Sequence, residues 1–321
     1  MQFILRFLKK IKFYRYFISW TKYIVLPGFA PLPLYTVAVF FFKEIQKESL
    51  VNKASSLSYS FMMAIFPSII FLFTLIPYIP IKDFQNQLMT LIGLLLPQNA
   101  YLAFESTLED IVKNQNGQLL SIGFILALIF STNGTHKLMQ AFNKSSLIAE
   151  SRSWLKQRLV ALNLTLLTAF ALILGVVVMV IGEFIIKEIK STLRFSDSSF
   201  WINLIAISRW IIVVAVYFVT ISLLYRYGPA NPKKWKFFSP GSWLATFLAI
   251  ITSVGFTYYI NNFGNYNKIY GSIGTLLVIM IWLYLNSLII LVGFELNASV
   301  DLSKRSIFLD KPIKLNSFKN S

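Results

Sequence analysis

One histidine, His136, and no cysteine occur in this chain of 321 residues, and that scarcity removes several chemistries at once. Without thiols there is no disulfide, thiolate zinc site, haem attachment or cysteine nucleophile. A single imidazole cannot supply the two or three ligands of a histidine metal centre. No metal, no cofactor and no catalytic set is expected. The titratable residue that stands out is Glu295, which closes an apolar run and lies nine positions before Lys304. On a helix that separation is about 13 Å. A carboxylate so placed must be protonated, paired or turned to water. Two roles stay open: one member of a structural ion pair, with Arg226 at the end of an earlier apolar run as partner, or a carboxylate that couples protons or binds substrate. Tyr284 and Leu288 share its helical face, whereas Asn286, Gly293 and Asn297 form a different stripe.

A second group of polar residues lies between two apolar runs, in Tyr258 to Gly274. Asn262, Gly264, Tyr266, Tyr270 and Gly271 bring amide and phenol hydrogen-bonding groups and permissive backbone to one short stretch. It reads either as a turn within an interfacial tyrosine belt or as a re-entrant turn facing a ligand. Glu183 and Arg209 lie near run ends and could pair. Pro67, in the middle of the first apolar run, removes a backbone hydrogen bond and predicts a kink. Gly241, Ala245, Ala249, Ser253 and Thr257 recur every fourth residue, a stripe that lets another helix approach closely.

The elements that position these residues follow from composition. Hydrophobic residues make up 56% and charged residues 13%, with a mean hydropathy of +0.65. Soluble domains carry about 25% charge, so the expectation is a polytopic membrane protein. A spanning helix needs roughly 20 mostly apolar residues. Six runs qualify: 54–81, 114–136, 159–182, 200–225, 237–267 and 269–294. Two others are rejected as spans. The run 23–42 carries Pro27, Gly28, Pro31 and Pro33, and 84–104 is broken by Pro97 and holds several amides. The expected fold is all-α: six transmembrane helices, an N-terminal interfacial helix over residues 34–52, and an extracytoplasmic helical hairpin. That hairpin comes from two amphipathic stripes, Phe84 to Leu96 and Tyr101 to Val112, separated by Pro97. It would serve as a structural cap or as a lid over an outward cavity.

Lysine and arginine choose the orientation. Of thirty, twenty-three fall in the segments that share a side with both termini, so both termini are expected in the cytoplasm. The net charge of +17 then needs no nucleic-acid partner; orientation and attraction to anionic lipid headgroups account for it. Membrane lipids are the expected partners, and association with a second copy stays open. The expected divisions are a basic interfacial arm at 1–53, the membrane domain at 54–302 and a basic tail at 303–321.

Several of these segments resemble one family. Ala54-Ser-Ser-Leu-Ser-Tyr59 through Phe66-Pro67, Leu138-Met-Gln-Ala-Phe-Asn143, Tyr225-Arg-Tyr-Gly-Pro229, Pro240-Gly241, Asn262 to Gly271, Trp282-Leu-Tyr284 and Gly293-Phe-Glu-Leu-Asn-Ala298 are similar to those of the YihY/BrkB family of bacterial inner-membrane proteins. The resemblance covers roughly residues 35 to 302. It implies a six-helix inner-membrane fold and no settled activity; some members are linked to serum resistance and others are suspected of moving lipid-like molecules. The old ribonuclease label attached to the family fits this chain poorly, since a metal cluster and a basic groove with stacked aromatics are both missing from the sequence.

The functional expectation is a transporter or flippase for an amphipathic, lipid-like substrate. A non-transporting scaffold or envelope-assembly factor is the alternative.

Overall fold

The computed structural model describes residue 16 and residues 19–25, 28–29, 32–47, 50–80, 84–95, 98–145, 149–193, 199–230, 235–263 and 272–309. Among them every regular element is helical. α1 spans Leu34–Lys47, α2 Leu50–Leu75 and α3 Phe84–Leu95; α4 spans Gln98–Lys113 and α5 Gly117–Ser145. α6 follows at Trp154–Leu193, α7 at Ser199–Tyr227, α8 at Pro240–Phe263 and α9 at Ser272–Leu309. A short 3₁₀ turn, Ile76–Tyr78, follows α2.

Five of these helices are long and apolar enough to cross a membrane among the described residues, namely α2, α5, the Trp154–Gly175 part of α6, α8 and most of α9. The apolar stretch of α7, Ile211–Tyr227, is shorter. Each expected apolar run is helical over most of its described residues, but the helix limits differ from the sequence limits. α6 runs on through 40 residues and α9 through 38, because a helix needs no break where polarity changes and the charged turns continue beyond the apolar part. The single interfacial helix expected over 34–52 is instead α1, followed by a start of α2 at Leu50. α2 continues through the buried Pro67.

Packing is uneven along the bundle. The largest core cluster draws Leu50, Ala54 and Leu57 from the start of α2 and Leu138 and Phe142 from the end of α5. It adds Ile221, Leu224 and Tyr225 from the end of α7, Ala245 and Ala249 from α8, and Ile289 to Ala298 from α9. These residues all lie toward one end, a basic end that also carries Lys53, Lys137, Lys144, Arg152, Arg226 and Lys304. Toward the far end large apolar side chains face outward, among them Ile70 and Leu72 on α2, Ile122 and Ile125 on α5, Phe170 and Ile173 on α6, and Val254 on α8. Outward apolar side chains on helices of this length are what a hydrocarbon solvent requires.

Small residues set the closest helix approach. A methyl group added to Gly241 would collide with the Gly293 carbonyl and the Asn297 amide, and one added to Gly293 would meet the Tyr225 hydroxyl and the Ala245 methyl. The stripe beginning at Gly241 is thus the contact face of α8 against α9 at the basic end, with Ala245 and Ala249 buried and Thr257, at its other end, exposed. α3 and α4 contact each other, and α4 packs on the Ile76–Tyr78 turn. Gln85 donates from Nε2 to the Ile76 and Ile79 carbonyls, and Gln115 from Nε2 to the Pro77 carbonyl.

Candidate functional site at the basic end

Five helices converge where α7 ends, α8 begins and α9 passes between them and the facing ends of α2 and α5. Phe294, fully buried, is the hub. Its ring stacks on Phe142 with centroids 4.0 Å apart and an interplanar angle of 9°. Tyr225 and Trp235 meet the same ring at 5.6 Å and 4.9 Å. The Tyr225 hydroxyl donates to the Ile290 carbonyl at 2.6 Å, which satisfies the one polar atom of that buried phenol.

Residues next to Phe294 point in different directions, as helical spacing dictates. Asn297 turns toward α8, where its Oδ1 accepts the Gly241 N–H at 2.8 Å and its Nδ2 donates to the Ser239 Oγ at 2.8 Å. Gly241 is the second residue of α8, so its amide has no partner within the helix. A side chain of α9 therefore caps α8. Glu295, 1% exposed, lies within electrostatic reach of Lys53 on α2. Lys53 Nζ donates to Ser145 Oγ at 3.0 Å, which joins α2 to the end of α5.

Arg226, expected beside Glu295, is directed elsewhere. Its Nη1 donates to the Trp235 carbonyl at 3.4 Å and its guanidinium stands 5.7 Å from the Tyr227 ring centroid. Tyr227 at the end of α7 and Trp235, late in the α7–α8 connection, hold it there. Among the described residues, the cation whose charge acts with Glu295 is Lys53. The buried Arg226 Nε and Trp235 Nε1 find no acceptor among the described residues.

A second polar network binds the α5–α6 connection to the end of α7. Asn143 donates from Nδ2 to Glu150 Oε2 at 2.6 Å, and its Oδ1 accepts the Ala230 N–H at 2.7 Å. Arg152 donates from Nε to Glu150 Oε1 at 2.7 Å and from Nη2 to both Glu150 Oε2 at 2.8 Å and the Gly228 carbonyl at 3.0 Å. The Arg152 guanidinium holds the Glu150 carboxyl below the usual carboxylate range, with the Asn143 amide adding to the effect. Sequence reasoning picked out Asn143 only within a motif and missed Glu150 and Arg152. The signal was an acid and a base two residues apart in a short polar connection.

An opening of about 380 Å³ lies beside Asn297. Trp235 and Phe238 give it aromatic walls, while Lys236, Asp301 and Lys304 bring charges of both signs. Among the expected site residues, Asn297 and Glu295 thus sit two positions apart on α9, one facing this opening and the other near Lys53. Asn262 is remote from both: it is exposed near the end of α8 and donates from Nδ2 to the Tyr258 carbonyl at 2.8 Å. Gly264, Tyr266, Tyr270 and Gly271 lie outside the described residues, as do the side chains of Glu183 and Arg209.

The parts that converge here come from distant stretches of sequence: Ala54 and Leu57, Phe142 and Asn143, Tyr225 and Gly228, Gly241, and Gly293 to Asn297. The family profile described as "Virulence factor BrkB" matches residues 41–312. The chain belongs to the BrkB family. It is a multi-pass membrane protein of that family, which includes UPF0761 membrane proteins. A ribonuclease-like protein named YfkH from Bacillus subtilis (strain 168) is 32% identical over 254 residues, covering 79% of this chain and 91% of its own length. A UPF0761 membrane protein of Tolumonas auensis is 24% identical, with 82% and 84% covered. Another, Smlt0865 of Stenotrophomonas maltophilia, is 24% identical over 84% of this chain, which spans 60% of that longer relative. No solved structure matches the chain.

Proposed function

We propose that this BrkB-family protein moves an amphipathic, lipid-like substrate across or within the bacterial inner membrane. The observation that carries the reading is the opening beside Asn297, where aromatic walls and charges of both signs share one space of about 380 Å³. A small apolar metabolite has no use for Lys236, Asp301 and Lys304, and a fully ionic one has none for Trp235 and Phe238. A headgroup with an attached apolar portion uses both. Trp235, which lines the opening, also carries a buried Nε1 donor without an acceptor among the described residues.

In this reading the protein has six spans, with α7 as the sixth, and both termini in the cytoplasm, so that the basic end faces inward. α3 and α4 form an extracytoplasmic hairpin that acts as a lid. Glu295 and Asn297 bind substrate or couple its movement to a proton, and Arg226 presents the α7–α8 connection to the opening. Asn262, Gly264, Tyr266, Tyr270 and Gly271 form the turn at the opposite mouth. The chain performs no covalent chemistry, and any driving force is an ion gradient or the substrate's own.

The test is movement of a fluorescent or isotopically labelled glycolipid or phospholipid in vesicles reconstituted with wild type, Asn297→Ala or Glu295→Gln. Wild type moves the lipid faster than protein-free vesicles and both variants slow it. Equal rates with and without protein for every class of lipid tried would reject the reading.

The exposed Thr257 end of the α8 small-residue stripe favours a second reading, a scaffold or envelope-assembly factor that receives another helix there, from a partner or from a second copy. Site-directed crosslinking from Thr257 would then capture one stable neighbour in the membrane.

A further inference from the structure

A separate opening of about 380 Å³ lies between the start of α2 and the end of α5. It is independent of the transport reading. Lys137, Gln140 and Lys144 form one stripe of α5, three and then four residues apart, which places them on a single face. Asn52, Lys53 and Ser56 from the first turns of α2 face them across the gap. Lys53 is half-buried, whereas Lys137 and Lys144 are exposed. Lys144 lies close enough to Lys53 for the two charges to repel.

Mutually repelling cations brought together by the fold carry an electrostatic cost that an anion relieves. Glu295 offsets part of the Lys53 charge from the protein interior, and the described residues that line the opening include no acid. Three cations against one buried acid leave the space positive. The amide and hydroxyl side chains of Asn52, Ser56 and Gln140 add neutral hydrogen-bond donors within the same wall. The first turn of α2 contributes the positive end of a helix dipole on the same side. The opening holds room for a hydrated phosphate ester, since a water molecule occupies about 30 Å³.

We infer that the Lys53–Lys137–Lys144 opening is a binding site for a phosphate-ester anion, the group shared by an anionic phospholipid headgroup and a soluble glycerol phosphate. Lysine suits this as a point charge that tolerates several phosphate orientations. Lys53 is the fixed member, held by Ser145, and the two exposed lysines close on the ligand from α5.

The test is native mass spectrometry of the full-length purified protein with phosphatidylglycerol, and with phosphatidylcholine as the comparator without net charge. The variants are Lys137→Gln/Lys144→Gln, the single Lys144→Gln, and a control pair, Lys22→Gln/Lys156→Gln, which removes two exposed lysines outside the opening. Wild type should retain phosphatidylglycerol in preference to phosphatidylcholine. The Lys137/Lys144 pair should weaken that preference about tenfold, the single variant by less, and the control pair should leave it unchanged. Glycerol 3-phosphate is added in competition. If it displaces the lipid at similar concentration the ligand is a soluble ester, and if it does not the acyl chains contribute and the source is lipid. Either result supports the site. Equal losses in the control and test pairs, or no loss in the Lys137/Lys144 and Lys144 variants, would overturn it, because undirected surface charge would then explain all binding.

Discussion

Phe142 and Phe294 lie ring on ring, 4.0 Å between centroids and within 9° of parallel. The first ends α5 and the second belongs to α9, so their contact ties two helices that are far apart in sequence. Replacing Phe294 with alanine removes contacts to Phe142, Tyr225 and Trp235 together. Loss of a buried phenylalanine costs about 3–5 kcal/mol. Thermal unfolding in detergent should show a fall in midpoint of many degrees for Phe294→Ala and a smaller one for Phe294→Leu.

The Asn297 cap gives a second prediction. Asn297→Leu keeps the volume of the side chain and leaves the Gly241 N–H buried without an acceptor, at a cost of about 1–3 kcal/mol. Asn297→Asp keeps an acceptor for Gly241 and can accept the Ser239 hydroxyl in place of donating to it, at the added cost of a buried carboxyl group. A melting series in which leucine falls clearly below aspartate would support capping as the role of Oδ1. Equal losses would show that bulk alone matters there.

Glu150 provides a pH test with a definite sign. Its carboxyl is held below the usual range chiefly by Arg152, so the charged form is favoured in the folded state. Such a group contributes stability that is fully present above the unfolded carboxylate value, about 4.3 for glutamate. That stability is lost as pH falls through the lower folded value. The pair is partly exposed, which keeps its contribution to about 1 kcal/mol or less. Wild type should lose stability relative to Glu150→Gln as pH falls below about 4.5, and the difference between them should be constant at neutral pH.

Lys53 and Glu295 should behave as a coupled pair. Glu295→Gln removes the acid acting on Lys53, and Lys53→Gln removes the base. Groups in one network show interaction energies of about 0.5–3 kcal/mol in a double-mutant cycle. The double variant should be more stable than the sum of the single losses predicts. Strict additivity would separate the two residues energetically.

Orientation can be read from single cysteines, because the chain contains none of its own. With both termini inside, Lys156→Cys should resist a membrane-impermeant maleimide in intact cells and react after permeabilisation. Lys113→Cys, at the end of α4, should react at once. Labelling of both from outside would refute the proposed arrangement.

The apolar runs were legible because length and hydropathy are local properties, and each became a helix. The stripe at Gly241, Ala245 and Ala249 was legible for the same reason: four-residue spacing marks a face before its partner is known. The partner of Glu295 was not. Lys53 and Glu295 are separated by most of the chain, and a carboxylate's depth says that it needs company without saying whose. Arg226 was expected from its place at the end of a run, but the α7–α8 connection draws it toward Trp235. Glu150 and Arg152 escaped notice because their function is to join a short connection to Gly228, and nothing periodic announces such a junction.

The uneven core has a consequence for the protein's surroundings. Large apolar side chains face outward along the whole bundle, Trp243 and Phe247 near the basic end as well as Ile122 and Phe170 farther along, but the basic end is also locked from within by aromatic stacking, a cap and two polar networks. The helices resemble stems braced from within at one end and joined pairwise farther along, as where Gly123 of α5 meets the Phe71 backbone of α2. Tail length and saturation therefore touch the whole molecule, and the half without that inner bracing has the least of its own packing to set against them.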